Sequence, residues 1–230
     1  VWNGAVDRIQ LKQILPKFQS SARQNNLEID RRRGADRDEF GHWYWIGDDE
    51  ASIRFLARDA RESALFWRPG MSRCEPDSDF TACDRSPERV LLRGLAVTTR
   101  HYLAVGSVPE RGLLIFDLHA GGRPMLLQFP EEVPFAPFDI SALFDGGLLV
   151  LDHDNLRYWR LDAHFRPTGE ATESEPLFQP GCDPKAPIAR RTCHPDGYKL
   201  KTVDDAPAPL SPIGIEPGPD GSVLILDGEE

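Results

Sequence analysis

Four cysteines are the residues of this sequence whose chemistry depends most on their spacing. They form two local pairs, Cys74 with Cys83 and Cys182 with Cys193, each in a polar, proline-containing segment. A bridge within each pair would restrain a long loop and stabilise it by about 2–3 kcal/mol. Two alternatives stay open: free thiols in a reducing compartment, and a metal site that adds His194 to the second pair. We predict the two disulfides. The metal site is disfavoured because the cysteines lack the usual Cys-x-x-Cys spacing.

Oxygen-bearing side chains at matching positions are the second candidate for chemistry. When the glycines near the turns are aligned, one column of the sequence reads Asp36, Ala96 or Val97, Ser141 or Ala142, and Glu216. A hard cation such as Ca²⁺ takes six to eight oxygen ligands, whereas only two of the four positions carry carboxylates. We predict that Asp36, Ser141 and Glu216 line an axial channel. A metal held by Asp36 and Glu216 is the weaker alternative.

The sequence contains no recognisable catalytic motif. There is no Gly-x-Ser-x-Gly, no His-Glu-x-x-His and no phosphate-binding glycine loop. The histidines fall mostly in turns or at strand ends, at positions 42, 101, 119, 153, 164 and 194. No catalytic residue is therefore assigned. Several aromatic residues could form a sugar-binding platform, but their places on strands favour packing instead: Trp43, Tyr44, Trp45, Trp67, Tyr158 and Trp159.

These residues belong to a repeated strand pattern. In the clearest copy, residues 138–161, an Asp-Gly turn follows the first strand, an apolar strand ends at Asp152, and a third strand follows another turn. Asp-Gly turns join antiparallel strands, and an apolar run fits a strand covered on both faces. The aspartates at these strand ends are interpreted as turn formers. Further copies begin near Gly34, Gly94 and Ile213.

The repeat predicts an all-β fold of four-stranded antiparallel propeller blades. A β-sandwich also contains short strands and turns, but it does not predict this recurring order. About three and a half blades are visible. We expect them to be part of a six- or seven-bladed ring, with six blades preferred, unless residues 1–33 supply outer strands. We assign residues 1–33 to a lead-in or outer strand and 34–230 to a partial propeller. Long insertions occupy 69–92 and 168–211, and they contain the cysteines.

The blades resemble NHL-type repeats and gluconolactonase/regucalcin-like six-bladed propellers. Residues 137–161 and 212–227 carry this resemblance, and the motif is degenerate, so it supports a fold more than a function. Lactonase-like propellers bind a divalent cation at the ring axis. The resemblance therefore implies an alternative function for this chain, a metal-dependent hydrolase that uses Ca²⁺.

A narrower resemblance concerns Arg33 to Ile46, which reads RGADRDEFGHWYWI. This segment is similar to one that opens the propeller of large proteins in phage-tail-like contractile injection systems. Asp38 and Phe40 match that pattern, and His42 falls at a variable position. The resemblance implies a structural or attachment role, in a bacterial cytoplasmic assembly or on a secreted particle.

Composition limits the classes of partner. The chain has 230 residues and a formal net charge of −10, which argues against nucleic-acid binding because that requires a basic surface. No stretch of 18 apolar residues occurs, so no membrane span is expected. We therefore expect protein partners, no resident cofactor and a non-enzymatic scaffold or binding module. The chain begins at Val1 rather than Met, and we expect a processed chain or a piece of a longer one.

Overall fold

Strands account for every regular element that the computed structural model describes. The structure describes residues 21–24, 27–30, 33–70, 90–129, 131, 133, 135–168, 197–200, 211–219 and 221–228. No helix long and apolar enough to cross a membrane occurs among them.

Three antiparallel sheets correspond to whole blades, in which the chain runs from the inner strand to the outer strand. Blade one contains β3 (Ala35–Arg37), β4 (Trp43–Ile46), β5 (Ile53–Leu56) and β6 (Ala64–Trp67). Blade two contains β7 (Leu92–Val97), β8 (Tyr102–Ser107), β9 (Gly112–Asp117) and β10 (Met125–Gln128). Blade three contains β11 (Pro137–Ala142), β12 (Leu148–Asp152), β13 (Arg157–Leu161) and two short outer strands, β14 (Pro167–Thr168) and β15 (Tyr198–Lys199), which both pair with β13.

Two further sheets have only two strands each. A partial blade four consists of β16 (Pro212–Pro217) and β17 (Val223–Asp227), and an isolated hairpin consists of β1 (Ser21–Gln24) and β2 (Leu27–Asp30). The hairpin lies within the predicted lead-in. The four predicted copies are therefore confirmed, and the copy with the weakest sequence pattern, blade two, forms a complete sheet.

The hydrophobic core lies between the faces of successive blades. Tyr44 and Ile46 of blade one share a buried cluster with Leu103 of blade two, and Ala104 of blade two shares the next cluster with Val150 of blade three. The second strand of blade three, β12, is buried along its whole length. Side chains alternate between the two faces of a strand, so a strand with a blade on each side must be apolar throughout. This explains the apolar run 148–151 of β12.

Glycines allow the inner strands to approach each other at backbone distance. Gly94 adopts a φ of +65°, and a β-carbon there would lie 2.7 Å from the α-carbon of Asp139 on the next inner strand. Gly34, at a φ of +128°, would place a β-carbon 2.7 Å from the backbone nitrogen of Leu95. Only glycine meets both the left-handed backbone and the lack of space. The inner strands therefore form a tightly packed hub.

Aspartates at strand ends hold the turns, as the sequence pattern indicates. Asp152 is fully buried. Its carboxylate accepts hydrogen bonds from the side-chain amide of Asn155 at 2.8 and 2.9 Å and from the backbone N–H of Ala136 at 3.2 Å. Burial raises the pKa of Asp152 above its ordinary value, although these hydrogen bonds oppose the shift. Asp227 repeats part of the arrangement, since it accepts from the backbone N–H of Ser211 at 2.9 Å.

Candidate functional site

The inner strands carry one matched row of side chains, which we call the inner row: Asp36, Ala96, Ser141 and Glu216. In each blade, a backbone N–H closes the turn that follows the inner strand, and the inner-row residue lies two positions before that N–H. The residues that donate these N–H groups are Asp38, Thr98, Leu143 and Gly218. The aligned column therefore corresponds to equivalent positions on β3, β7, β11 and β16.

Asp36 connects blade one to blade two. Its Oδ2 accepts a hydrogen bond from the backbone N–H of Val97 at 2.8 Å, and its Oδ1 accepts from the N–H of Arg37 at 2.7 Å. The carboxylate thus serves backbone donors on two neighbouring inner strands. Hydrogen bonds from backbone N–H groups to a carboxylate are charge-assisted, so this contact stabilises the packing of the two strands.

Ser141 and Glu216 are brought together across the next boundary. The Ser141 hydroxyl donates a hydrogen bond to Oε2 of Glu216, and Ser141 is buried. Ala96 lies in the row between Asp36 and Ser141 and offers no side-chain donor or acceptor. The structure therefore places the three predicted residues in one row and joins two of them directly.

Asp139 is a fourth inner-strand acid, outside the predicted set. Its Oδ2 accepts a hydrogen bond from the backbone N–H of Ile215 at 2.9 Å, and Ile215 is fully buried. The available sequence signal was a second acid on an inner strand, two residues before Ser141. Asp139 was not among the predicted residues because it does not fall at the aligned inner-row position. Asp139 and Asp36 thus each accept a backbone N–H from the next blade, Asp36 between blades one and two and Asp139 between blade three and the partial blade.

The inner row does not fit a Ca²⁺ site. Calcium takes six to eight oxygen ligands, whereas the described part of the row offers three oxygen-bearing side chains. Asp36 already accepts two backbone N–H groups, and Glu216 accepts the Ser141 hydroxyl. Within the described residues, no group of three or more His, Cys, Asp or Glu side chains is arranged to hold a metal ion.

A second grouping, which we call the imidazole cluster, consists of Phe40, His42, His101 and His119. The His101 ring contacts Phe40 edge-on, with centroids 4.9 Å apart, and stacks on His119 at 4.5 Å. His42 lies 6.2 Å from Phe40 between centroids. The cluster spans the first turns of blades one and two and the loop after β9. Sequence reasoning treated these histidines as separate turn residues.

Turn geometry explains why His101 enters this cluster. His101 occupies the turn position that Gly41, Gly146 and Gly221 occupy in the other blades, and its φ of +66° is left-handed like theirs. Histidine tolerates this conformation better than bulky or β-branched residues do. A matching signal exists in the sequence, because aligning the four first turns places one histidine among three glycines.

Carboxylates hold the imidazole cluster in place. Asp38 is buried and accepts from the His42 backbone N–H at 2.8 Å, and its Oδ2 lies 3.0 Å from Nδ1 of the same histidine. Asp117 accepts the backbone N–H groups of Ala120 and His119, each at 2.9 Å. The hydrogen bond from Ala120 lowers the pKa of Asp117, with the bond from His119 adding to the shift. Asp38 thus holds His42 directly, whereas Asp117 fixes the backbone of the loop that carries His119.

Exposed phenylalanines mark the same end of the blades. Phe144 is 78% exposed at the tip of the β11–β12 turn, and Phe40 is 51% exposed at the tip of the β3–β4 turn. We call this end of the blades the first-turn end. Large apolar side chains that project singly into water are common. Here two project from equivalent turns, and Phe40 lies beside the stacked imidazoles.

Three of the six aromatic residues considered as a sugar platform pack inside the protein, and the other three are half-buried. Tyr44, Trp67 and Trp159 are buried, which confirms the packing interpretation for these three. Burial, with the charge of Asp38 adding, raises the pKa of Tyr44 to about 12. The predicted cysteine pairs, Cys74 with Cys83 and Cys182 with Cys193, lie outside the described residues, as does His194, so the disulfides stay a prediction.

No protein-family model matches the chain, and no curated protein matches it in sequence. Solved structures do resemble it. A catalytically inactive variant of virginiamycin B lyase from Staphylococcus aureus, bound to quinupristin, has a TM-score of 0.53 at 10% identity over 85% of this chain and 48% of its own. Selenomethionine-substituted virginiamycin B lyase from the same organism gives 0.52 at 11% identity, over 86% of this chain and 49% of its own.

These likenesses concern the fold. The lyases are β-propeller proteins, and together with the four-stranded sheets they show that this chain has the propeller architecture. The chain spans about half the length of the lyase structures that it matches. At such low sequence identity, the activity of the lyases does not transfer to this chain.

Proposed function

We propose that this chain is a non-enzymatic propeller scaffold that binds protein partners through its first-turn end. The observation that carries the proposal is the use made of the inner-strand acids. Asp36 and Asp139 each accept a backbone N–H from the next blade, and Glu216 accepts the hydroxyl of Ser141. In an enzyme built on this axis, these oxygens would have to serve a metal or a substrate. Here they hold blades together.

The surface at the first-turn end supports the binding role. Phe40 and Phe144 project from equivalent turns, and the imidazole cluster lies beside Phe40. Aromatic side chains supply large contact areas with little loss of conformational entropy, and they are enriched in protein interfaces.

The resemblance of residues 33–46 to propeller proteins of contractile injection systems narrows the proposed partner. We place the chain in such a particle as a structural or attachment component. Asp38 and Phe40 are residues that match this pattern. Asp38 is buried and fixes the turn through His42, while Phe40 is exposed at its tip. Of the two matching residues, Asp38 would thus stabilise the turn and Phe40 would contact the partner.

Elemental analysis of the purified protein separates the scaffold from the hydrolase. We expect no divalent ion in a stoichiometric amount and no rise in melting temperature when Ca²⁺ is added, since the inner-row oxygens already have donors. A tightly held ion that disappears in both Asp36→Asn and Glu216→Gln would overturn the scaffold proposal. Ala96→Ser serves as the control, because it adds an oxygen to the row without removing a carboxylate.

Co-sedimentation with phage-tail-like particles tests the proposed partner. We expect the purified chain to pellet with the particles and Phe40→Ser and Phe144→Ser to weaken that association. Leu156→Ser is the matched control, because Leu156 is 39% exposed on a turn at the opposite end of the blades. Equal loss in all three variants, or no association of the parent chain, would contradict the proposal.

A further inference from the structure

Two imidazoles of the first-turn end lie face to face. The rings of His101 and His119 have centroids 4.5 Å apart, and their planes are inclined by only 27°. His101 is buried, with 10% of its side chain exposed, whereas His119 is exposed. Phe40 contacts the His101 ring edge-on, with centroids 4.9 Å apart. The His119 ring thus helps to shield His101, and through it one flank of Phe40, from water.

A carboxylate lies within reach of His101. Oε1 of Glu39, on the first turn of blade one, is 3.7 Å from Nδ1 of His101, so a proton on that nitrogen would face an acid. The Glu39 side chain is 62% exposed, and solvent weakens an ion pair of this kind. A charge on His101 can therefore be accommodated where the ring lies.

The third imidazole of the cluster has its own acid. Nδ1 of His42 lies 3.0 Å from Oδ2 of Asp38, whose side chain is fully buried. The His42 ring is 6.2 Å from Phe40 between centroids. A proton on His42 therefore forms an ion pair with Asp38 and gives that ring no reason to move.

The acid next to His119 is occupied by the backbone. Asp117 accepts the backbone N–H groups of His119 and Ala120, each at 2.9 Å. The hydrogen bond from Ala120 is the main cause of its lowered pKa, and the charges of His119 and His101 add to it. Asp117 thus lies close enough to sense both rings. It fixes the backbone of the loop and leaves the direction of the His119 ring free.

Arginines bring further positive charge to this end of blades one and two. Arg100 precedes His101 and donates a hydrogen bond to the carbonyl oxygen of Ala163 at 3.1 Å. The side chains of Arg37 and Arg58 pack beside the α-carbon of Gly41, on the turn that carries Phe40. These guanidinium groups stay charged at every pH of interest, so they disfavour a second positive charge on the stacked rings.

Acid would place two like charges on the stacked pair. An imidazole ordinarily takes up its proton near about pH 6.5, and unit charges at the 4.5 Å separation of these rings repel strongly near a protein surface. His101 is enclosed, whereas His119 needs only a change of rotamer to reach water. Its loop leaves room, because a β-carbon at Gly121 or Gly122 would meet nothing within 4 Å.

We infer that the stacked pair is an acid-sensitive latch on the first-turn end. The His119 ring lies on His101 while one of the two rings is neutral, and it turns into solvent when both are protonated. Opening uncovers a charged His101 beside Phe40. Burial of such a charge under a partner is unfavourable, so acid should release a protein bound there. This last consequence rests on the proposed function, whereas the latch itself does not.

NOESY spectra of protein with ¹³C-labelled histidine and phenylalanine rings test the latch. We expect a cross-peak between the ring protons of His101 and His119 at about pH 8 and its loss at about pH 5.5, on either side of the ordinary imidazole range. Both values lie above the isoelectric point of about 5.1. His153 and Phe138 are the internal control. They stack at the same 27°, with centroids 4.9 Å apart, but phenylalanine takes up no proton, so their cross-peak should persist.

His119→Phe is the matched variant, because it keeps an aromatic ring on the loop and removes one of the two charges. Its ring should stay on His101 at both pH values. A His101–His119 cross-peak that survives at about pH 5.5 overturns the latch. Loss of the variant's contact, or of the His153–Phe138 contact, at the same pH overturns it as well, because acid would then loosen the packing without regard to charge on the pair.

Co-sedimentation with phage-tail-like particles at the same two pH values tests the release. The parent chain should pellet less at the lower pH, and His119→Phe should lose less than the parent does. Equal binding of the parent at both values contradicts the release. A parent chain that binds at neither pH contradicts the proposed function alone, because the ring contacts are measured within the isolated chain.

Discussion

Asp139 accepts a hydrogen bond from the backbone N–H of Ile215 at 2.9 Å, across the boundary between blade three and the partial blade. Asp36 and Val97 repeat this relationship at 2.8 Å between blades one and two. Acids on the inner strands of a propeller invite assignment as metal ligands. In this protein their hydrogen bonds connect neighbouring blades.

Replacing Asp139 should therefore destabilise the fold. Asp139→Ala removes the acceptor of a buried N–H, and an unsatisfied buried donor costs about 1–3 kcal/mol. The free energy of unfolding, measured by urea denaturation, should fall by that amount. Asp139→Asn keeps a side-chain carbonyl as acceptor and should lose less. If the two variants lose equal stability, the hydrogen bond to Ile215 does not account for the effect.

Replacing Gly94 should be more damaging than replacing a glycine of similar backbone conformation elsewhere. Gly94→Ala introduces a β-carbon 2.7 Å from Asp139 and should cost about 3 kcal/mol or more, since strain and overlap add. Gly121 has a φ of +68°, and a β-carbon there meets nothing within 4 Å. Gly121→Ala should thus cost only about 1–2 kcal/mol, the penalty of the left-handed backbone.

Urea denaturation of both glycine variants provides the comparison. Both variants lose free energy of unfolding because alanine disfavours a left-handed backbone. The extra loss in Gly94→Ala therefore measures the cost of the close approach between the inner strands. Equal losses would show that β7 and β11 can separate at little cost, and the hub would then be less tightly packed than its backbone distances indicate.

Asp152 should give the stability of the protein a specific pH dependence. Its pKa is raised in the folded state above the ordinary 3.8, so the folded protein holds this proton more tightly than the unfolded chain does. The resulting stabilisation is complete below pH 3.8 and is lost as the pH rises through the folded pKa. Asp152→Asn cannot ionise and lacks this dependence.

Unfolding free energies of both proteins at acidic and neutral pH measure this effect. The stability of the parent relative to Asp152→Asn should decrease from pH 3.8 toward neutrality. Taking the difference between the two proteins cancels groups that titrate alike in both. A difference that is constant with pH, or that grows in favour of the parent on neutralisation, would contradict the raised pKa.

The cysteine pairs can be tested without a structure of their loops. Peptide mapping without reductant should yield one peptide pair linked through Cys74 and Cys83 and another linked through Cys182 and Cys193. Local pairing is expected because each pair closes a short loop, for which chain closure is least unfavourable. Four thiols that alkylate in native protein, or links between the two segments, would show this prediction to be wrong.

The strands and their grouping could be predicted from the sequence because their signals are local. The apolar run at β12, the turn aspartates and the hairpin glycines each act within a few residues, so their pattern repeats visibly. Blade two was the faintest pattern because His101 replaces the turn glycine found in the other blades. The structure shows that this substitution preserves the turn, with a φ of +66°.

The role of the inner-strand acids could not be predicted in the same way. The row Asp36, Ser141 and Glu216 was found by alignment, but hydrogen bonds between blades join residues 61 to 76 positions apart. Such pairings depend on the stacking of whole sheets. The imidazole cluster was missed for a related reason. Phe40 and His101 meet only when blades one and two stack, and His101 and His119 meet only when two separate turns of blade two lie side by side.

The glycine hub also bears on how this protein can change over evolution. Successive copies of the repeat begin 60, 44 and 75 residues apart, yet Gly34 and Gly94 keep adjacent inner strands at the same backbone spacing. Because that spacing is fixed at the centre, the segments between blades can lengthen, shorten or acquire new sequences without moving the blades. The fold thus separates a fixed central frame from segments whose length can vary, and insertions there can add new contact surfaces.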